Sequence, residues 1–184
     1  MVPQQYLRGL DAGDYDVRGV YGIPHSRKPG SWRIVCSYAD GKRHKARLFA
    51  SMAPMGQAES RATWEWHHIV EGQHFADVDF SGQLPLLYEE QLPCVLIARE
   101  EHTAYNRILH IRETDELYRD AGLRRDLRQR SAEVALAART KANHPALRRR
   151  VAELQRLYRN AYAGDRVLTT IAMNVLDDAV SHLR

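Results

Sequence analysis

Two kinds of apolar pattern divide the chain. Up to residue 98 the apolar residues form short runs rich in β-branched and aromatic side chains, WRIVCSY, TWEWHHIVEG and LPCVLIA, which is typical of strands. From Arg99 onward they recur at helical spacing, first in a segment with acidic residues in its first turn and a predicted end at Gly122. The pattern predicts an α+β protein with strands in the first half and helices in the second.

The first two β-rich runs, WRIVCSY and RHKARLF, flank the residues ADGK. An Asp-Gly pair between two strands favours a hairpin, with Gly41 in the left-handed position of a bulged three-residue loop. In that register the apolar residues Trp32, Ile34 and Cys36 share one face. The opposite face holds four basic residues, which are Arg33, Arg43, Lys45 and Arg47. This face fits nucleic-acid phosphates, and an ordinary solvated surface is the alternative.

The last third of the chain is helical and basic. One helix is predicted from Ser131, and another begins at 143–145, because proline is tolerated in the first turn of a helix. A Gly-Asp pair at 164–165 separates it from a final helix over 166–183. That helix carries a broad apolar stripe, so we expect it to be buried against the core or a partner.

Composition narrows the class of protein. A chain of 184 residues with 44% hydrophobic and 27% charged residues fits one globular unit with an added subdomain and excludes a disordered or fibrous protein. The net charge of +4 slightly favours polyanions as binding partners. Cys36 and Cys94 lack the spacing of a structural zinc site and favour a reduced compartment, with one disulfide left open.

The sequence lacks both the pattern of a signal peptide and an apolar run long enough to span a membrane. We therefore expect a cytoplasmic protein, or one that a specialised secretion system delivers into the cytoplasm of a target cell.

The candidate chemistry lies in the centre of the chain. His67 and His68 are adjacent on a predicted strand, while His102, Asn106 and His110 follow at four-residue spacing along one face of the helix that begins at Arg99. A strand and a helix can together supply three ligands to one divalent cation. Such an ion keeps open positions for a phosphate oxygen. The helix pattern does not decide between Asn106 and His110, and we rank Asn106 first.

Strand geometry limits how the two adjacent histidines can be used. Neighbouring residues on a regular strand point to opposite faces, so the pair serves one site only where the strand bends or ends. A regular strand groups Glu65 with His67 instead. Glu71 and His74 follow the pair as second-tier candidates, for which a loop surface is the alternative.

The segment WHHIVE, together with the helix residues EHTAYN, resembles the HNH and endonuclease VII superfamily of ββα-metal nucleases, in particular the His-His-led nuclease domains of bacterial polymorphic toxins. The resemblance covers residues 64–110. It implies that His67 is a metal ligand, that His68 is the general base and that His102 and Asn106 complete the metal site. Two arginines flank the helix ligands, Arg99 and Arg107, and both are candidates for phosphate binding, with a solvated helix surface as the alternative.

The resemblance implies a ββα-metal core at 63–122, preceded by an extension with the basic hairpin at 1–62 and followed by a helical subdomain at 123–184. The expected function is cleavage of DNA, with little sequence preference, by a bacterial toxin or effector that has a cognate immunity protein. One divalent cation is expected, and the sequence does not distinguish Mg²⁺, Mn²⁺, Zn²⁺ and Ni²⁺. The alternatives are a toxin that cleaves RNA, a zinc-stabilised nucleic-acid-binding module and an adaptor that docks a partner on its final helix.

Overall fold

The computed structural model describes residues 2, 4–14, 19–43, 64–71, 92–109 and 144–181. Its strands, in chain order, are β1 Gly13–Asp14, β2 Tyr21–Pro24, β3 Trp32–Ser37, β4 Trp64–His68 and β5 Pro93–Ala98. Its helices are α1 at 38–43, α2 Arg99–Leu109, α3 His144–Ala161 and α4 Arg166–Ser181, with a 3₁₀ turn at Gln4–Leu7. The predicted α+β class is confirmed.

The strands form one antiparallel sheet in the order β1-β2-β3-β5-β4. β5 lies between β3 and β4, and all but the last of its residues are buried. Burial on both faces explains why its sequence is a continuous apolar run without alternation. The sheet unites strands from the predicted N-terminal extension with strands from the predicted core.

α2 begins directly after β5 and packs on β4 and β5. Glu100 and Glu101 lie in its first turn, where negative charge interacts favourably with the helix dipole. The start of this helix is confirmed. The part predicted from 110 to 122 and the helix predicted from Ser131 lie outside the described residues.

α3 and α4 form an antiparallel pair that covers one face of the sheet. Gly164, in the connection between the two helices, has a φ of +80°, a conformation that glycine adopts without steric cost. Asp165 caps α4, because its Oδ1 accepts a hydrogen bond from the backbone N–H of Leu168 at 3.2 Å. The apolar stripe of α4 is buried from Val167 to Ala179, which confirms the prediction for the final helix.

The sheet separates two apolar clusters. The larger lies between the sheet and α2, α3 and α4, and includes Val35, Val95 and most of the α4 stripe. The smaller lies on the other face and consists of Val20, Ile34, Cys36 and Leu96, against which Trp64 and Trp66 pack. We call the face of the sheet that carries the larger cluster the helical face, and the face that carries Trp64 and Trp66 the tryptophan face.

The predicted hairpin turn is wrong, because residues 38–43 are helical. Ser37 caps this helix: its hydroxyl accepts from the backbone N–H of Asp40 at 3.2 Å and donates to the Asp40 carboxylate at 2.7 Å. Gly41 does not take a positive φ. A Cβ at this position would lie 2.9 Å from the Trp66 indole, so glycine is required here by close packing. The second strand of the predicted hairpin, at 44–49, lies outside the described residues.

Candidate functional site

His67 lies on β4 with its side chain on the helical face. Its ring is buried, with 1% of the residue exposed. The Tyr162 hydroxyl donates to the backbone oxygen of Ile69 at 2.8 Å and lies 2.8 Å from Nε2 of His67. Since the hydroxyl has one proton, it accepts from Nε2–H, and this hydrogen bond selects the Nε2–H tautomer of the imidazole.

Two tyrosines contact His67 and a third packs against one of them: Tyr105 lies on α2, Tyr158 lies on α3, and Tyr162 lies one residue beyond the end of α3. The ring of Tyr105 is stacked on the imidazole at a centroid distance of 5.5 Å, and Tyr162 meets it edge-on at 5.9 Å. Tyr158 contacts Tyr162 and accepts a hydrogen bond from the backbone N–H of Glu71 at 2.7 Å. Burial raises the pKa values of Tyr105 and Tyr162 well above the ordinary value, so both hydroxyls stay protonated.

His102, on α2, joins a chain of hydrogen bonds along the open side of the site. Its Nδ1 lies 2.5 Å from the Glu65 carboxylate, and its Nε2 accepts from the Asn106 amide at 3.2 Å. Glu65 also accepts from Nε of Arg99 at 2.9 Å. The hydrogen bonds from His102 and Arg99 lower the pKa of Glu65. Glu65 therefore holds His102 in the Nδ1–H tautomer, with the Nε2 lone pair directed toward Asn106.

The structure brings the three predicted metal ligands to one place. The imidazoles of His67 and His102 have centroids 5.1 Å apart, and Asn106 touches His102. The grouping of Glu65 with His67, expected for a regular strand, is also observed, since Glu65 to His68 all pair in register with β5. Arg99 lies at the exposed end of this cluster.

Two features of the cluster fit a metal ion. A carboxylate that holds the far nitrogen of a histidine is the usual support for a ligand histidine, and Glu65 holds Nδ1 of His102 in this way. The Oδ1 atom of Asn106 is buried and has no hydrogen-bond partner among the described residues. Within those same residues, no three His, Cys, Asp or Glu side chains converge on a common ion. The proposed site thus depends on the Asn106 amide as its third ligand.

His68 is not part of this cluster. Because β4 is regular, its imidazole projects from the tryptophan face, where its centroid lies 4.4 Å from that of Tyr38 on α1. Lys42 lies over the same tyrosine ring, with its Nζ 4.1 Å from the centroid. The sheet therefore separates His68 from His67 and His102.

Of the predicted basic face, the structure describes Arg33 and Arg43, and these two residues lie in different environments. Arg33 is buried, with 3% of the residue exposed, and bonds to Glu101 at 2.7 Å and to Asp165. The prediction that Arg33 contacts phosphate is therefore wrong, because its charge is already neutralised inside the protein. Arg43, by contrast, is 70% exposed on α1, and Arg107 is exposed on α2. The remaining predicted residues, His74, His110, Lys45 and Arg47, lie outside the described part of the chain.

Sequence reasoning missed the residues that build the inner wall of the site. Glu101 and Tyr105 are four residues apart on α2, and the Tyr105 hydroxyl donates to Glu101 at 2.9 Å. Burial alone would raise the pKa of Glu101, but the hydrogen bond and charge of Arg33 lower it. Asp165 accepts from Ser26 at 3.1 Å. The available signal was four-residue spacing, both in Glu101 with Tyr105 and in Tyr158 with Tyr162.

Comparison with known proteins gives no relative: no family model matches this chain, and no curated protein or solved structure is similar to it. Among the helices that the structure describes, none combines the length and apolar character needed to cross a bilayer.

Proposed function

We propose that this chain is a metal-dependent endonuclease that hydrolyses phosphodiester bonds in DNA, with His67, His102 and Asn106 as its metal ligands. The observation that carries the proposal is the meeting of these three side chains on the helical face, with the two imidazole centroids 5.1 Å apart. Four-residue spacing in the sequence grouped His102 with Asn106 and His110, and the resemblance assigned His67, His102 and Asn106 as the ligands. The order of strand, strand and helix in β4, β5 and α2 also matches the order expected for a ββα-metal core.

The residues around the ligands have defined tasks in this proposal. Glu65 fixes the ring of His102 and keeps its proton on Nδ1, while Tyr162 fixes the ring of His67. Arg99 is 61% exposed beside Glu65, where its guanidinium can bind a phosphate oxygen. A divalent cation bound to the three ligands would neutralise charge on the phosphate and stabilise the leaving oxygen.

A general base is also required to activate the attacking water. The resemblance implies His68, yet β4 directs this imidazole to the tryptophan face. If His68 is the base, His68→Ala lowers cleavage by about 10²-fold or more while metal affinity stays intact. If cleavage by His68→Ala is unchanged, the base is another residue and the metal site stands.

The direct test is incubation of the purified chain with plasmid DNA and with RNA, each with Mg²⁺, Mn²⁺, Zn²⁺, Ni²⁺ or a chelator. We expect cleavage of DNA that requires metal, and loss of both metal binding and cleavage in His67→Ala and His102→Ala. His25→Ala is the matched control, because His25 lies in the β2–β3 connection outside the cluster. Wild-type protein that binds no metal and cleaves neither polymer would overturn the proposal, whereas cleavage of RNA alone would support the RNase alternative.

The biological role that we propose is that of a bacterial toxin or effector with a cognate immunity protein. This role rests on the resemblance of WHHIVE and the α2 residues to polymorphic-toxin nucleases. Expression in a bacterial cell should block growth and degrade its DNA, and His102→Ala should remove both effects. Growth arrest that persists in His102→Ala would separate toxicity from the proposed site.

A second candidate function is a non-catalytic nucleic-acid-binding module stabilised by zinc. It is favoured by the burial of His67, because a structural ion is closed off by protein whereas a catalytic ion keeps an open position. In that case the chain binds one zinc per molecule, unfolds more easily with chelator and retains DNA without cutting it. Metal stoichiometry measured beside the cleavage assay distinguishes the two.

A further inference from the structure

The two cysteines of the chain lie opposite each other across the sheet. β3 pairs with β5 in the register Val35 with Val95, Cys36 with Cys94 and Ser37 with Pro93. The thiols are therefore neighbours on the tryptophan face although 58 positions (94 minus 36) separate them in sequence. Both residues are buried with 0% exposure, and no disulfide joins them in this structure.

The backbone places this pair within reach of a disulfide. The backbone N–H of Tyr38 donates to the Leu92 oxygen at 3.2 Å, which continues the β3–β5 register and marks these two residues as a hydrogen-bonded pair. Hydrogen-bonded pairs recur at every second residue, so Cys36 and Cys94 form one as well, with an expected Cα separation of about 5.5 Å. Disulfides commonly span Cα separations of about 5.5 to 6 Å.

We propose that Cys36 and Cys94 close into a cross-strand disulfide when the chain folds in thiol-oxidising surroundings, with a disulfide such as oxidised glutathione as the oxidant. One cysteine thiolate attacks a sulfur of oxidised glutathione and releases one glutathione thiolate. The second cysteine thiolate attacks the protein sulfur of the mixed disulfide and releases the other. Two electrons and the two thiol protons thus pass to two molecules of glutathione. This proposal does not depend on the nuclease proposal.

The stage of folding at which the disulfide forms follows from the position of α1, which covers Cys36. α1 packs on Cys36, since a Cβ added at Gly41 would lie 3.2 Å from the Cys36 sulfur. Burial raises the pKa of the Cys36 thiol, so the folded chain presents little thiolate to an oxidant. Closure therefore occurs during folding, before α1 covers β3, and oxidation of the folded protein is slow.

The bond is also expected to be reversible. Cβ atoms of directly opposed strand residues are about 4.5 to 5.5 Å apart. A disulfide needs about 3.5 to 4.5 Å, so closure draws β3 and β5 together. Strained disulfides are more readily reduced than relaxed ones. The ratio of reduced to oxidised thiol in the surroundings would then decide whether the bond persists.

The test is refolding of the reduced, denatured chain in a buffer of reduced and oxidised glutathione, followed by alkylation and peptide mass spectrometry. We expect one intramolecular link between the peptides that carry Cys36 and Cys94. The same buffer added to folded protein should give the link at least about tenfold more slowly, since burial suppresses the thiolate. Refolded chains that carry only glutathione adducts or intermolecular links would overturn the proposal.

A control variant that moves one cysteine by a single residue tests whether the link requires the opposed positions of Cys36 and Cys94, or forms by chance collision in a flexible chain. In the double variant Cys36→Ser with Val35→Cys, the thiol moves one residue and turns to the helical face, so the link should be lost. An equal yield of link in this variant contradicts the proposal. Circular dichroism verifies that the variant folds; if it does not, Cys36→Ser with Ser37→Cys makes the same comparison from the other neighbour.

Discussion

The two faces of the sheet use the same strands for different purposes. On the helical face β3 and β4 present Arg33, Glu65 and His67, which meet charged and aromatic partners from α2, α3 and the start of α4. On the tryptophan face the same strands present Ile34, Cys36 and two tryptophans, which pack as an apolar layer. Strand alternation sorts adjacent residues into two environments, and the His-His pair is divided by this rule.

The two faces of the sheet differ in how they accommodate buried ionisable groups. On the helical face each buried charge has a counter-charge or a hydrogen-bond partner from a helix, as with Arg33 between Glu101 and Asp165. Such partners make burial tolerable, and removal of one leaves the others uncompensated. The tryptophan face depends instead on close contact between apolar groups. Substitutions on the two faces should therefore fail for different reasons.

The largest effect is expected from Arg33→Met. The variant leaves the buried carboxylate of Asp165 and the partly buried carboxylate of Glu101 without their shared guanidinium. Loss of one partner of a buried ion pair costs about 3 to 5 kcal/mol. The free energy of unfolding, measured by urea denaturation, gives the result. Arg43→Met on the exposed side of α1 is the control and should change stability by less than about 0.5 kcal/mol. A loss below about 1 kcal/mol in Arg33→Met would contradict the role of the ion pair.

Tyr162→Phe should have the next largest effect. It removes the hydroxyl that satisfies both the Ile69 backbone oxygen and Nε2 of His67. A buried polar group without a partner costs about 1 to 3 kcal/mol, which urea denaturation can detect. Tyr158→Phe is the comparison variant, which removes the hydroxyl that accepts a hydrogen bond from the backbone N–H of Glu71. Because this N–H is only partly buried, it can bond to water instead, and the loss of stability should be smaller. An equal or larger loss in Tyr158→Phe would mean that the buried His67 hydrogen bond is not the stabilising feature.

Gly41→Ala tests the tryptophan face by steric means. The added methyl meets the Trp66 ring at 2.9 Å, and overpacking of this kind costs about 1 to 3 kcal/mol. Because alanine has a greater helix propensity than glycine, it offsets about 1 kcal/mol of this cost. We therefore expect a net loss of about 1 kcal/mol in the free energy of unfolding. Gly13→Ala, whose Cβ would meet its nearest neighbour at 3.9 Å, should cause no such loss. The stability of both variants is measured by thermal denaturation. A gain in stability for Gly41→Ala would show that the Trp66 ring moves aside at little cost in free energy.

The smallest effect is expected from Glu65→Gln, at the exposed edge of the helical face. Because hydrogen bonds from His102 and Arg99 lower the pKa of Glu65, its stabilising contribution is present above the unfolded pKa and is lost as pH falls through the folded pKa. Partly exposed ion pairs contribute about 0 to 1 kcal/mol. Wild type and variant should thus differ by at most about 1 kcal/mol at pH 7. The difference should begin to shrink as pH falls through the ordinary glutamate pKa of about 4.3, and it should disappear only below the lowered pKa of folded Glu65. A difference that is unchanged at low pH would exclude the carboxylate charge as its source.

Local patterns were sufficient for much of the fold. The apolar run of β5, the acidic start of α2 and the stripe of α4 were all predicted from sequence and are present. The candidate site was also accessible in part, since four-residue spacing placed His102 and Asn106 together and strand alternation placed Glu65 with His67. The metal, the DNA substrate and the general base remain predictions.

Other features could not be derived from neighbouring residues. The Ser37 to Asp40 segment carries both a turn signal and a helix cap, and the glycine that suggested a turn is required by contact with Trp66, 25 positions (66 minus 41) further along the chain. Arg33 looked like a surface residue because its partners come from α2 and the start of α4. Tyr162 gave no signal as a partner of His67, since 95 positions separate them.

The sequence by itself determined the periodicities of β3, β4, β5, α2, α3 and α4: which residues of the strands alternate between faces, and which side chains lie along one side of each helix. These depend on the backbone geometry of a few adjacent residues. Only the tertiary structure decided which ionisable groups are buried and how each is satisfied, because a buried charge or hydroxyl is stabilised by partners from distant elements. The same principle holds for the candidate site, where β4 supplies His67, α2 supplies His102 and α3 adjoins the tyrosine that holds His67 in place.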